Sequence, residues 1–222
     1  VECFTMKEDS KARKQQRANE IFTILRKTYP KVRSALNFSS PLELLVATIL
    51  SAQTTDKGVN EVTKSLFKKY KTLDDYVAAN PTEFEQQIRP TGFYRNKTRS
   101  VLAACKKIKS DFGGEVPDNM NDLLSLPGVA RKTANCVLGN AFGKNEGICV
   151  DRHVLRVAGR LGLTASDKPN VVEQDLMALS PQDEWTQVSH RLIIHGRTIC
   201  TARKPDCGAC PLNKLCPSAF KV

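Results

Sequence analysis

The chain has 222 residues, 41% of them hydrophobic, which excludes a disordered protein and leaves room for one or two packed domains. Its 34 lysines and arginines against 23 aspartates and glutamates give a net charge of +11, an excess that points to a polyanionic partner. The longest strongly apolar stretch, Leu44 to Leu50, is interrupted by Thr48 and falls far short of the roughly 20 residues a transmembrane helix needs.

In chain order the pattern reads as helix almost throughout. No charged-apolar-small leader pattern opens the chain, so an intracellular protein is expected. Lys7 to Lys27 reads as a basic helix with Ile21, Ile24 and Leu25 on its apolar side, a docking stripe under a solvated face rather than a direct nucleic-acid contact. Ser40-Pro41 gives an N-cap with proline at the first helical position, and Leu42, Leu45, Val46, Ile49 and Leu50 follow at helical spacing. Leu44 and Ala47 fill the other side, which predicts a helix buried all round. Asn80-Pro81 opens another helix that Pro90 ends, and a helix from about Tyr94 to Phe112 stops at Gly113-Gly114. A further helix closes at Gly143. Asn170 with Glu173 reads as a capping box, and Ser180-Pro181 as the start of a helix carrying Trp185, Val188, Leu192 and His195. No stretch alternates with the period of a strand, so the expected fold class is all-α.

Two segments carry chemistry on their own features. In Leu126-Pro127-Gly128-Val129-Ala130-Arg131-Lys132-Thr133, Pro-Gly signals a tight turn, and a helix is expected to start near Val129. Its outward N–H groups suit a phosphate, although an ordinary corner between helices fits the same residues. The second segment is the tail. Cys3, Cys105, Cys136 and Cys149 are scattered, whereas Cys200, Cys207, Cys210 and Cys216 crowd together with spacing C-x6-C-x2-C-x5-C. Four thiolates suit tetrahedral zinc or a [4Fe–4S] cluster, and spacing alone leaves both open.

Together with Leu50-Ser51-Ala52-Gln53-Thr54-Thr55-Asp56 and Val150-Asp151-Arg152-His153-Val154, these segments resemble the helix-hairpin-helix DNA glycosylases. With the cysteine tail, the resemblance is to the endonuclease III family, over about Asn37 to Cys216. It implies a two-lobed helical protein. A six-helix barrel lobe with the helix-hairpin-helix would span 35–145, residues 1–34 and 146–222 would form a [4Fe–4S] cluster lobe, and DNA would lie in a cleft between them. It implies a bifunctional DNA glycosylase/AP lyase that removes oxidised pyrimidines and cuts the strand by β-elimination. The implied partner is damaged double-stranded DNA, with no membrane, a monomeric state and a bacterial cytoplasmic, nucleoid-associated location.

The resemblance makes Lys132 the Schiff-base nucleophile. An amine needs a lowered pKa for that role, and first-turn placement beside Arg131 acts in that direction. Asp151, 19 residues on, would stabilise positive charge on the sugar; an N-cap is its plainer role. His153 reads as structural. Gln53 and Phe93, the latter after Gly92, would be inserted into the duplex; Leu126, Pro127, Gly128 and Ala130 would approach phosphate. Cys200, Cys207, Cys210 and Cys216 would hold the cluster, with Arg203 and Lys204 as phosphate contacts in the first cysteine loop. Three departures stand out. Ala130 replaces a second hairpin glycine, Arg152 replaces a small hydroxyl residue, and Pro90-Thr91 replaces an apolar approach to the wedge loop. The rivals are a monofunctional adenine or mismatch glycosylase, which lacks an amine at Lys132, and a non-catalytic iron–sulfur DNA-binding or redox-sensing protein, which leaves the Lys132–Asp151 pair unexplained.

Overall fold

The computed structural model describes residues 11–222, and every regular element among them is a helix. Contacts divide the chain into two units: Arg33–Glu146, and the residues up to Val32 together with Gly147–Val222.

The unit Arg33–Glu146 is built around α2 (Pro41–Leu50). The Ser40 hydroxyl accepts from the Glu43 N–H at 3.2 Å and Pro41 pre-sets the first turn. Leu44, Leu45, Val46, Ala47, Ile49 and Leu50 are all buried, so the expected all-round burial is observed. Each fully buried leucine contributes about 1.5–3 kcal/mol relative to exposure. Around α2 come α3 (Asp56–Lys69), the single-turn α4 (Leu73–Val77), α5 (Pro81–Ile88), α6 (Tyr94–Asp111), the short α7 (Met120–Leu124) and α8 (Arg131–Ala141). α2 packs directly on α3, α6 and α8. Asn80 caps α5, accepting from Thr82 and Glu83 at 2.9 and 3.2 Å. That helix ends at Ile88, and Pro90 sits inside a 3-10 turn, Arg89–Thr91, that delivers the chain to Gly92 and Phe93. Val101, Ala104, Cys105 and Ile108 form the buried stripe of α6.

The other unit packs α1 (Lys11–Thr28), α9 (Arg152–Arg160), α10 (Pro169–Leu179) and α11 (Trp185–Thr198) around Ile21, Leu25, Val154, Val157, Leu176, Val188 and Leu192. Ile21 and Leu25 are buried as expected, and Ile24 packs at the margin; Lys7 to Ser10 of the expected helix lie outside the described residues. Two helix starts differ from expectation. α10 begins at Pro169, with Lys168 in the N-cap position and no side-chain cap, so Asn170 is already inside the helix and Glu173 is buried within it. The fixed φ of Pro169 sets that start two residues ahead of the expected box, whose cap was Asn170. After Ser180-Pro181 a 3-10 turn, Gln182–Glu184, intervenes before α11 opens at Trp185. The Ser180 hydroxyl is turned back onto the Leu176 carbonyl of the preceding helix at 2.7 Å, and so is not available as a cap.

Candidate nucleic-acid interface and cysteine cradle

The hairpin lies between α7 and α8. Leu126 and Val129 are buried and anchor it, whereas Pro127, Gly128 and Ala130 are exposed. Gly128 has φ +78, and a Cβ there would fall 2.5 Å from the Ser100 Cβ on α6, so only glycine fits both the turn and the space. α8 starts at Arg131, two residues later than expected, because Val129 is drawn into the turn by its N–H bond to the Leu126 carbonyl at 3.1 Å. Ala130 occupies the N-cap position and has no side chain that can bond the first-turn N–H groups. Its φ of −100 is ordinary extended backbone, so the missing second glycine causes no strain. Lys132 is exposed at the second position of the first turn.

Two other loops of the same unit present the expected insertion residues. Gln53 lies in the turn after α2 and is exposed; Phe93 precedes α6 and keeps 64% of its surface in solvent. Both are in the left-handed region, at φ 55 and 47. A large exposed aromatic on strained backbone is not serving the core.

In the other unit Asp151 caps α9. Its Oδ1 accepts from the His153 and Val154 N–H groups at 2.7 and 2.8 Å, leaving Oδ2 without a part in the cap. Burial pushes the His153 imidazole below its usual range, while the Asp151 charge pulls the other way. Its ring lies 3.3 Å from the Arg156 guanidinium, in keeping with a structural role. Arg152 is exposed as the first residue of α9.

Cys200, Cys207, Cys210 and Cys216 all line one small pocket. Their donors fit a cationic metal core. Burial raises the Cys210 and Cys216 thiols, and repulsion from the neighbouring cysteines raises them further, a cost that bound iron removes. The wall also holds the sulfurs in place. Arg160 Nη1 donates to Cys200 Sγ at 3.4 Å and to the Thr201 carbonyl at 2.7 Å, and the Asn213 amide donates to the Cys207 carbonyl at 3.1 Å. His195 Nε2 is 3.6 Å from Cys210 Sγ, and its Nδ1 is 3.1 Å from the Tyr29 hydroxyl. Burial pushes the His195 imidazole down to about 4. Arg203 and Lys204 are exposed in the first cysteine loop, where the Thr201 hydroxyl donates to the Lys204 carbonyl at 2.6 Å.

Sequence reasoning missed three contributors. Arg160 and His195 brace the sulfurs, and Lys97 is a buried amine beneath the two exposed loops. A signal for Lys97 existed: it stands four residues before Val101 and so falls on the buried stripe of α6.

Comparison with known proteins places this geometry in a class. Residues 46–182 match the HhH-GPD superfamily of base excision DNA repair proteins, and residues 200–216 match the iron-sulfur binding domain of endonuclease III. Endonuclease III of Synechocystis sp. is 52% identical over 94% of this chain and 95% of its own. That of Bacillus subtilis is 47% identical, covering 87% of this chain and 88% of its own. A solved non-covalent endonuclease III–DNA complex superposes with a TM-score of 0.89 at 44% identity, over 93% of this chain and 97% of the other; a trapped covalent endonuclease III–DNA intermediate matches equally well. The chain belongs to the endonuclease III family, DNA glycosylases with AP lyase activity in base excision repair, and carries a [4Fe–4S] cluster.

Proposed function

We propose that this chain excises oxidised pyrimidines from duplex DNA through an imine formed by Lys132. The observation that carries this is an exposed amine in the first turn of a helix that follows a Pro-Gly hairpin and lacks a side-chain cap. Phosphate held by the hairpin N–H groups would fix the strand, with Leu126, Pro127, Gly128 and Ala130 supplying the backbone surface. The Lys132 Nζ attacks the sugar C1′, the bond from C1′ to the damaged base breaks and the base leaves with one amine proton; the C1′–O4′ bond then opens, O4′ taking the second proton, to leave an imine. The resulting imine acidifies the neighbouring sugar C–H, and loss of that proton expels the 3′ phosphate. Asp151 serves the departure of the base through Oδ2, stabilising the cationic sugar while Oδ1 keeps the helix cap. Gln53 and Phe93, with Gly92 giving the latter its turn, fill the space left by the extruded base.

Cys200, Cys207, Cys210 and Cys216 would hold the cluster, which when bound supplies structural order to the loop bearing Arg203 and Lys204. Those two cations would contact phosphate. The enzyme would act as a monomer on damaged DNA in a bacterial cytoplasm.

Borohydride trapping tests the central step. The parent chain is expected to crosslink to duplex carrying an oxidised pyrimidine, and Lys132→Gln to lose the crosslink while still binding DNA. Full base release by Lys132→Gln would make water the nucleophile and overturn the assignment.

A further inference from the structure

Lys97 is 5% exposed, and all three of its N–H donors are used. Nζ lies 2.8 Å from the Leu50 carbonyl, 2.9 Å from the Thr54 hydroxyl and 2.7 Å from the Thr91 carbonyl. None of these partners is a carboxylate. A lysine placed this deep without a counter-charge is expensive, and such a position persists when the contacts it makes matter elsewhere. Burial pulls its pKa down to about 8, so the ammonium is still the main form at neutral pH.

The three oxygens belong to two different loops. Leu50 closes α2 just before Gln53, and its carbonyl is at the negative end of that helix, where an ammonium is favoured. Thr54 follows Gln53 directly. Thr91 lies two residues before Phe93. The Thr54 hydroxyl also donates to the Thr91 carbonyl, tying the loops a second time. Gln53 and Phe93 are two of only three non-glycine residues at positive φ among the described residues, the third being Phe220. Strained backbone of this kind persists only where the surroundings over-determine it.

We infer that Lys97 is a positioning residue that clamps the Gln53 and Phe93 loops at a fixed separation, so that both side chains enter the duplex together. This rests on the reading of Gln53 and Phe93 as the inserted residues. The clamp stabilises neither side chain directly; it holds the backbone from which each projects. An unclamped pair would still reach the DNA, but would lose the alignment needed to fill a single gap in the base stack.

The test compares two substrates under single-turnover conditions. One is duplex carrying a paired oxidised pyrimidine, which requires insertion. The other is a single-stranded oligonucleotide with an abasic site, which has no base to extrude. Lys97→Met keeps the stem and removes the donors. It is expected to slow processing of the paired duplex by at least tenfold, toward the roughly hundredfold that a misplacement of about 1 Å can cost, and to leave the single-stranded rate within about twofold. Thr54→Val removes the second tie and one of the three Lys97 acceptors while the lysine stays in place; it is expected to show the same selectivity to a smaller degree, and keeps the test usable if Lys97→Met folds poorly. In a Phe93→Ala background Lys97→Met should add little further loss. Equal slowing on both substrates, a parent-like rate on the paired duplex, or full multiplication with Phe93→Ala overturns the clamp. The insertion reading fails separately, through parent-like rates for Gln53→Ala and Phe93→Ala themselves.

Discussion

Replacing Gly128 by alanine tests whether the hairpin is fixed by its contact with α6. At φ +78 an L-residue costs about 1–2 kcal/mol. The added Cβ would also stand 2.5 Å from Ser100 Cβ and 2.8 Å from Ser100 Oγ, well inside the 3.5–4.0 Å at which carbon atoms attract. Because Cβ is rooted in the α6 backbone, no rotamer change relieves the clash, and overpacking of this kind costs about 1–3 kcal/mol more. The expected total is about 2–5 kcal/mol. Gly143→Ala supplies the control: φ is +66, but nothing lies within 4 Å, so only the backbone cost of about 1–2 kcal/mol applies. The difference between the two variants, read from urea unfolding followed by circular dichroism, isolates the clash. Adding Ser100→Gly to Gly128→Ala should recover most of that difference, less about 0.5–1 kcal/mol for glycine in a helix. Binding to abasic duplex should weaken with Gly128→Ala and not with Gly143→Ala. Equal loss in the two variants, or no recovery with Ser100→Gly, would refute the argument.

The charge makes affinity for undamaged duplex salt-dependent, with a slope of about −0.9 per phosphate contacted, and neutralising Arg203 and Lys204 together should flatten that slope by as much as about 1.8; an unchanged slope in a salt titration would make the first cysteine loop a solvated face. Asp151→Asn keeps an oxygen that can cap α9, so its unfolding midpoint should barely move while base release slows by about 3–4 kcal/mol of barrier. Asp151→Ala should lose both, with about 0.5–2 kcal/mol of stability gone in denaturant melts; comparable activity in the asparagine variant and the parent would confine Asp151 to capping.

Helix existence was legible because it depends on local signals. Ser40-Pro41 and Asn80-Pro81 start helices in the structure as in the sequence, and the buried faces of α2 follow from spacing alone. Boundaries failed where a neighbour competed for the cap: Val129 is taken by the hairpin, and the Ser180 hydroxyl bonds backward to Leu176. Of the candidate site, the four cysteines stood out through residue type and spacing, whereas Lys132 was singled out by the family resemblance. The surroundings of the sulfurs did not, because Arg160 and His195 approach them from sequence positions 40 and 15 residues away. Lys97 was hidden for a different reason. In Arg95-Asn96-Lys97 a polar run reads as surface, and only the helical phase set by Val101 reveals that this one amine turns inward.

The two units differ in how the ribosome delivers them. Arg33–Glu146 is one unbroken stretch and can fold as soon as it emerges. The other unit is closed only when α11 and the cysteine segment arrive, so Ala18, Ile21, Phe22 and Leu25 of α1 must wait until Ile148 and the residues after it are made for the core that covers them. Iron loading needs Cys216, which follows every helix of both units in the chain. A ribosome stalled after Glu146 would therefore release a chain with the lysine already made, the carboxylate still missing and one apolar helix face uncovered. Such fragments would be targets for proteolysis before they could meet DNA.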